Sequence, residues 1–283
     1  MMMTMVVALM GSALAEAPPP VLGGRTVDAG EWPDVALIWF GEDPGCTGTL
    51  VAPDLVLTAG HCARGATHIS LDHTSIRDAK RRRIVETHTH ERWGRTLDLA
   101  AFRLAEPVEG VRPRRLSRRE LADDSTVTIV GWGATDRQAR DESRLLREGD
   151  ATVWDHDCSE RGWGCNRREA GGKELVAGAD DIDSCDGDSG GPLYVGRGDR
   201  ALLVGITSRG VNGMGPPCGD GGIYVRADAA ADWLESLPTR DDDAETWEEP
   251  PPGPVGACSS APLGVALVPS LLALGATARR RRF

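Results

Sequence analysis

Three residue types, far apart in the chain, could together carry out acyl transfer. Gly187-Asp188-Ser189-Gly190-Gly191-Pro192 sets a serine among glycines, a tight turn that projects the hydroxyl and leaves backbone N–H groups free beside it. A serine hydroxyl is a weak nucleophile until a neighbouring base takes its proton. Leu57-Thr58-Ala59-Gly60-His61-Cys62 supplies an imidazole at the end of an apolar, strand-like run, and Thr96-Leu97-Asp98-Leu99-Ala100 supplies a carboxylate between apolar residues. In chain order the set is His61, Asp98, Ser189.

Thr58-Ala59-Gly60-His61-Cys62, Asp98-Leu99-Ala100 and Gly187-Asp188-Ser189-Gly190-Gly191-Pro192 resemble the three catalytic motifs of the chymotrypsin/trypsin family of serine endopeptidases, and the likeness runs over residues 21–237. The resemblance implies protein or peptide substrates, no cofactor and no metal. It makes Ser189 the nucleophile, His61 the base, Asp98 the group that orients it, and the N–H groups of Gly187 and Ser189 the oxyanion hole. Val21-Leu22-Gly23-Gly24 and Glu31-Trp32-Pro33 also look familial. By that likeness the freed amine of Val21 folds inward and pairs with Asp188. Pro20 stands before Val21, in place of the Arg or Lys of a tryptic activation site, so another enzyme must remove residues 16–20 or the terminus does not insert.

The same resemblance reaches the specificity pocket. Asp183 falls where trypsin-like members hold a carboxylate at the pocket base, selecting Arg or Lys, and Gly222 falls on a wall that must stay narrow. Thr207-Ser208-Arg209-Gly210 matches the strand that binds substrate backbone, with Ser208 placed to hydrogen-bond Asp98. Arg209 replaces the usual aromatic residue there. Its charge would repel or reposition a basic residue, or pair with acids in neighbouring substrate positions. The loop over 211–217 is enlarged before Cys218.

Seven cysteines point to an oxidising compartment. By the resemblance Cys46 pairs with Cys62 beside the histidine, and Cys185 with Cys218 beside the nucleophile. Cys158 and Cys165 remain in the domain; the usual later partner of Cys158 is here Val176, and a local Cys158–Cys165 bridge is inferred. Metal binding is the competing use of these sulfurs, although no Cys-x-x-Cys pair supports it. His88 and His90 alternate in a strand-like run and read as an exposed face, with a His-x-His metal pair as the alternative.

These residues need a scaffold. Short apolar runs at 32–40, 47–51, 55–58, 69–71, 84–87, 99–104, 127–130, 151–153, 193–195, 202–206 and 222–225 are separated by Gly, Pro and Asp turns. Many strands without helical periodicity predict an all-β sandwich or barrel. The resemblance makes this two six-stranded antiparallel β-barrels with the triad in the cleft between them. Residues 228–237, with Ala230, Trp233, Leu234 and Leu237 on one face, predict a short C-terminal helix.

A chain of 283 residues, 40% hydrophobic, can build a sizeable core. Its formal charge of −11 argues against nucleic-acid binding, which rests on basic phosphate contacts. The basic run Lys80-Arg81-Arg82-Arg83 reads as solvated loop. Residues 1–15 are apolar and end Ala13-Leu14-Ala15, a pattern that suits a secretory cleavage site. Residues 16–20 then form a short propeptide and 21–238 the catalytic domain.

Residues 239–257 form an acidic, proline-rich linker that cannot bury enough apolar surface to fold alone. Behind it come Cys258, an uncharged stretch over 261–278 and Arg279-Arg280-Arg281-Arg282. That stretch is borderline for a membrane span, and the arginines favour a cytoplasmic end. The tail, 258–283, resembles the MYXO-CTERM type of C-terminal sorting signal, which implies processing or attachment at Cys258 and a protease tethered to a bacterial cell envelope or surface; a plain tail anchor is the alternative. The expected whole is a secreted, monomeric serine endopeptidase. A catalytically silent binding module on the same fold, or an adhesin, is its rival.

Overall fold

The computed structural model describes residues 21–238 apart from 92, 94–96, 142, 169, 180, 181 and 212–216. Expectations for the leader, the propeptide, the acidic linker, Cys258 and the tail fall outside these residues. By internal contacts the chain divides at Pro238, and the unit before it is the one described.

Thirteen strands, one α-helix and three single 3₁₀ turns make up the described secondary structure. The first barrel contains β2 (Val35–Phe40), β3 (Asp43–Ala52), β4 (Leu55–Thr58), β5 (His68–Ser70), β6 (Arg82–Thr89) and β7 (Ala100–Leu104), closed in the order β2-β3-β4-β7-β6-β5. The second contains β8 (Thr126–Gly131), β9 (Arg147–Asp155), β10 (Glu174–Ala177), β11 (Pro192–Val195), β12 (Leu202–Gly210) and β13 (Gly222–Arg226). Its order is β9-β10-β13-β12-β11-β8, and β8 pairs again with β9 to close it. The two-residue strand β1 (Arg25–Thr26) adds antiparallel to β9.

Period-two alternation explains why the strands read as continuous apolar runs. In β2, Ala36 and Ile38 point into the first barrel with Leu50, Val56, Ile69 and Phe102. Val35, Leu37 and Trp39 point the other way, into a cluster shared with Trp132, Tyr194, Ile206 and Val225 of the second. Successive side chains face opposite sides, so a strand buried on both faces needs apolar residues at every position. The second barrel fills its interior with Val127, Ile129, Val153, Leu175, Leu193 and Tyr224.

Helix α1 (Ala227–Glu235) follows β13 directly and buries Ala227, Ala230 and Ala231, with Trp233 and Leu234 packed partly against the shared cluster. Asp228 in its first turn suits the helix dipole and is held by Arg226 at 2.7 Å. The helix starts one residue earlier and ends two earlier than its sequence pattern predicts.

Three sequence readings need correction. Lys80-Arg81-Arg82-Arg83 is only partly loop: Arg82 and Arg83 open β6, and the Arg81 guanidinium lies 4.0 Å from the Trp39 ring centroid. Stacking a weakly hydrated guanidinium on an indole covers apolar surface that the strand pair alone leaves open. His88 and His90 do not form an exposed face. His88 Nε2 meets Glu86 Oε2 at 3.1 Å, whereas the His90 ring lies tilted at 54° against Trp233 with ring centroids 5.8 Å apart. Finally, β10 has no counterpart among the expected strands, because Leu175-Val176-Ala177 is too short a run to stand out from its Gly-rich flanks.

Candidate active site

Each barrel contributes part of one cluster. His61 lies in a single 3₁₀ turn, Gly60–Cys62, directly after β4, and Asp98 lies two residues before β7. Because β4 and β7 are neighbours, pairing Thr58 with Ala100, their ends bring the two side chains together. His61 Nδ1 lies 2.7 Å from Asp98 Oδ2, and the His61 backbone N–H donates to Asp98 Oδ1 at 2.9 Å. From the second barrel, Ser208 Oγ donates to the same Oδ2 at 2.8 Å. Burial opposes ionisation of Asp98, but the bond and charge of His61, the Ser208 hydroxyl and the His61 amide hold its carboxyl below the ordinary value. A charged carboxylate of this kind fixes the imidazole with its other nitrogen, Nε2, unprotonated.

Ser189 precedes β11 in a turn pinned from three sides. Thr47 N–H donates to the Ser189 carbonyl at 2.8 Å, Gly190 N–H to Thr207 O at 2.7 Å, and Gly191 N–H to Asp188 O at 2.8 Å. Cys62 Sγ, next to His61, lies 3.6 Å from the Ser189 carbonyl oxygen, so the serine turn packs against the histidine turn. Among the described residues, neither Gly187 nor Ser189 donates its backbone N–H to another protein group. Gly187 has φ of +99°, and a Cβ there would stand 2.9 Å from Gly133 Cα, so only glycine fits.

Asp183, six residues before Ser189, is 1% exposed. Its Oδ2 accepts from the N–H groups of Gly219 at 2.7 Å and Gly221 at 3.1 Å, and its Oδ1 from Ser184 N–H at 2.8 Å. Burial pushes its carboxyl up to about 6 despite these three donors. Gly222, at the start of β13, packs close to Ser184. A Cβ on it would stand 2.7 Å from Ser184 Oγ and 3.1 Å from the Tyr224 hydroxyl, which itself bonds Ser184 Oγ at 3.2 Å. Gly210, paired with Gly222 across β12 and β13, is exposed on the same side.

Val21 and Leu22 are drawn inside. Val21 is fully buried among the residues of the second barrel, and Leu22 bridges to Asp183, whose N–H donates to Leu22 O at 3.2 Å. Asp188 is also fully buried, with Oδ1 accepting from Gly133 N–H at 2.8 Å and Oδ2 from Cys185 N–H at 2.9 Å. Burial pushes its carboxyl up to about 7, against the pull of those two donors, and the charge of Asp183 adds to the rise.

The structure pairs Cys46 with Cys62, Cys158 with Cys165 and Cys185 with Cys218, at Cα separations of 6.2, 6.1 and 5.3 Å. Among the described residues, the group Cys46, His61 and Cys62 is close enough to hold a metal ion, but its two sulfurs are bonded to each other and offer no thiolate.

Two residues that sequence reasoning did not connect also bear on the site. Glu174, 1% exposed at the start of β10, pairs with Arg209 at 2.8 Å. Thr47 Oγ1 donates to Gly187 O at 2.8 Å and so steadies the serine turn from the first barrel. A lone acid at the head of a short apolar run, or a threonine in a strand, carries no local signal of such a role. A cavity of about 200 Å³ borders Gly187, lined by Cys46, Trp132, Ser143 and Asp186 among others. A larger one, about 570 Å³, surrounds Trp32, Arg114 and Glu148 and shares no lining residue with His61, Asp98 or Ser189.

Comparison with known proteins supplies relatives. Residues 21–234 match the family model described as Trypsin. Mouse serine protease 56 is 33% identical over 234 residues, covering 76% of this chain and 38% of that protein. The human protein of the same name is 34% identical over the same length and shares. This chain therefore spans well under half the length of these relatives. Among solved structures, neuropsin, described as a serine protease expressed in the limbic system of mouse brain, superposes with a TM-score of 0.65. At 24% identity, covering 75% of this chain and 97% of that one, it shows a shared fold.

Proposed function

Because this chain belongs to the trypsin family, we propose that it is a serine endopeptidase that cleaves peptide bonds after Arg or Lys through an acyl-enzyme formed on Ser189. The observation that carries the reading is the meeting of His61 and Ser208 on one partly buried carboxylate, that of Asp98, beside a serine turn with two N–H groups that have no protein partner among the described residues.

In the first step Ser189 Oγ bonds to the scissile carbonyl carbon while its proton passes to His61 Nε2. Asp98 stabilises the imidazolium that results. The carbonyl oxygen becomes an oxyanion held by the N–H groups of Gly187 and Ser189, each worth about 3–4 kcal/mol in comparable enzymes. The C–N bond then breaks as His61 gives its proton to the leaving amine. Water attacks the ester by the same route, its proton going to His61 and then to Ser189 Oγ.

Asp183 is read as the base of the primary pocket. A buried carboxylate with only backbone donors around it favours a substrate cation, since an unpaired charge in such a site is costly. Val21 is read as the activating terminus: its amine, once released from Pro20, would give Asp188 the counter-charge that its burial calls for. The three disulfides support export to an oxidising compartment. Tethering through residues 239–283 rests on sequence; among the described residues no helix is long and apolar enough to cross a membrane. The partners proposed are peptide substrates of a single chain, with no nucleic acid, in keeping with a charge of −11.

The test is hydrolysis of matched Arg, Lys, Phe and Ala amides by protein beginning at Val21, beside Ser189→Ala and Asp183→Ser. Cleavage after Arg and Lys should vanish in the first variant and be redirected in the second. A folded, disulfide-bonded domain that hydrolyses none of them and leaves Ser189 unlabelled by an organophosphonate would overturn the reading.

A further inference from the structure

We propose that Arg209 is a positioning residue for the triad: its guanidinium occupies the oxygen of Ser208 and so directs the Ser208 hydrogen onto Asp98. The inference rests on the reading of His61, Asp98 and Ser189 given above and adds a member to that machinery.

A hydroxyl is a rotor with one hydrogen to give and lone pairs to receive. Which it does depends on its neighbours. Ser208, 4% exposed, has Asp98 Oδ2 at 2.8 Å on one side and Arg209 Nη1 at 3.2 Å on the other. Asp98 is ionised and can only accept; a guanidinium can only donate. With both present, the hydrogen-bond directions have one solution: Arg209 donates to Ser208 and Ser208 donates to Asp98. The bond to the carboxylate is then charge-assisted and the rotor is locked. A donor-free side chain in place of Arg209, such as methionine, offers this oxygen no hydrogen, and the hydroxyl keeps its freedom to turn.

Arg209 is itself held. The same Nη1 meets Glu174 Oε1 at 2.8 Å, and Nη2 donates to Gly164 O at 3.3 Å, in the loop closed by Cys158 and Cys165. Glu174 is almost wholly buried, and its second oxygen accepts from Asn166 N–H at 2.8 Å, so it cannot swing away to water. The result is one unbroken hydrogen-bonded path, Glu174 to Arg209 to Ser208 to Asp98 to His61. The buried anion also offsets the charge of Arg209, so the strand that flanks the pocket carries an ion pair there rather than a bare cation. Arg209 acts through Ser208 and touches no reacting atom.

The experiment uses the processed chain, beginning at Val21, with competent sites counted by phosphonate titration, and a small ester that fills only the primary pocket. Arg209→Met, Ser208→Ala and the double variant are compared by acylation rate and KM. Arg209→Met should slow acylation about tenfold with KM changed less than about twofold, the signature of lost transition-state rather than binding interactions. Ser208→Ala should remove the same benefit, so the double variant should be no slower than Ser208→Ala within about twofold. Arg209→Lys, which keeps a donor, should recover most of the rate. Arg209→Met strands Glu174, and Arg209→Met/Glu174→Gln controls for that; it should remain slow. The proposal fails if the two single losses multiply in the double variant, if Arg209→Met affects only longer peptides and only through KM, or if Glu174→Gln restores the rate. Unlabelled Ser189 in the unsubstituted chain would remove the triad reading first, and this inference with it.

Discussion

His61 and Asp98 hold each other through two bonds, one from the ring Nδ1 at 2.7 Å and one from the backbone N–H at 2.9 Å, each to a different carboxylate oxygen. The imidazole is therefore fixed in tautomer, and its turn is fixed to the carboxylate as well.

Asp98→Asn separates these two roles. The amide keeps the shape but presents an N–H or a neutral oxygen to Nδ1, so the wrong tautomer is favoured and Nε2 no longer accepts a proton. kcat should fall about 10⁴-fold with KM little changed. Steady-state kinetics on an Arg amide decide it; a loss of less than about tenfold would show that Asp98 does not orient the base.

Selectivity for Arg should depend on pH through Asp183. With its carboxyl pushed up to about 6 by burial, the group is increasingly neutral below that pH and would lose its hold on a cation. kcat/KM for an Arg ester, divided by that for an uncharged ester of similar size, should fall about tenfold per pH unit below about 6 and level off above about 7. A ratio flat across this range would sink the assignment of Asp183 as pocket base.

Gly222→Val tests the pocket wall. Even the first carbon of the new side chain meets Ser184 Oγ and the Tyr224 hydroxyl, so the slot should close to long side chains. We expect kcat/KM for Arg substrates to drop at least about 100-fold, about 3 kcal/mol, with a much smaller loss for Ala substrates. Equal losses for both would point to misfolding instead, which near-UV circular dichroism would reveal.

Release of the Val21 amine should stabilise the domain in a pH-dependent way. The folded-state value of Asp188, about 7, lies above the ordinary 3.8. Such an acid binds more protons when folded than unfolded, so while Val21 remains joined to Pro20, stability declines as pH rises from about 4 to about 7. An ammonium paired with Asp188 removes that decline. The Tm of protein beginning at Val21, less that of protein retaining residues 16–20, should be small near pH 5 and grow by several degrees toward about pH 7.5. A difference independent of pH would exclude the pairing.

Arg114→Met should be costly although it lies far from the chemistry. Asp34, fully buried, accepts from Arg114 Nε at 2.9 Å and from the Tyr194 hydroxyl at 2.6 Å, and Arg114 also bonds the Gly198 carbonyl. Removing the cation leaves a buried carboxylate with one neutral donor, a loss of about 3–5 kcal/mol. Urea unfolding would measure it; Arg114→Met/Asp34→Leu should recover much of the loss.

Local chemistry made part of this protein readable from sequence alone. A serine between glycines, a histidine ending an apolar run and an aspartate beginning another announce themselves, because turn geometry and strand ends are properties of neighbouring residues. The apolar runs likewise announce strands, since pleating gives each residue a side without reference to the rest of the chain. Tertiary structure alone decided which acid meets which base: Glu174 and Arg209 are 35 positions apart, Asp34 and Arg114 are 80, and nothing in their local sequence couples them. Closing two barrels against each other makes the junction both the place where strands are buried on two faces and the place where distant polar groups must find partners, because a buried charge without one is too costly to keep.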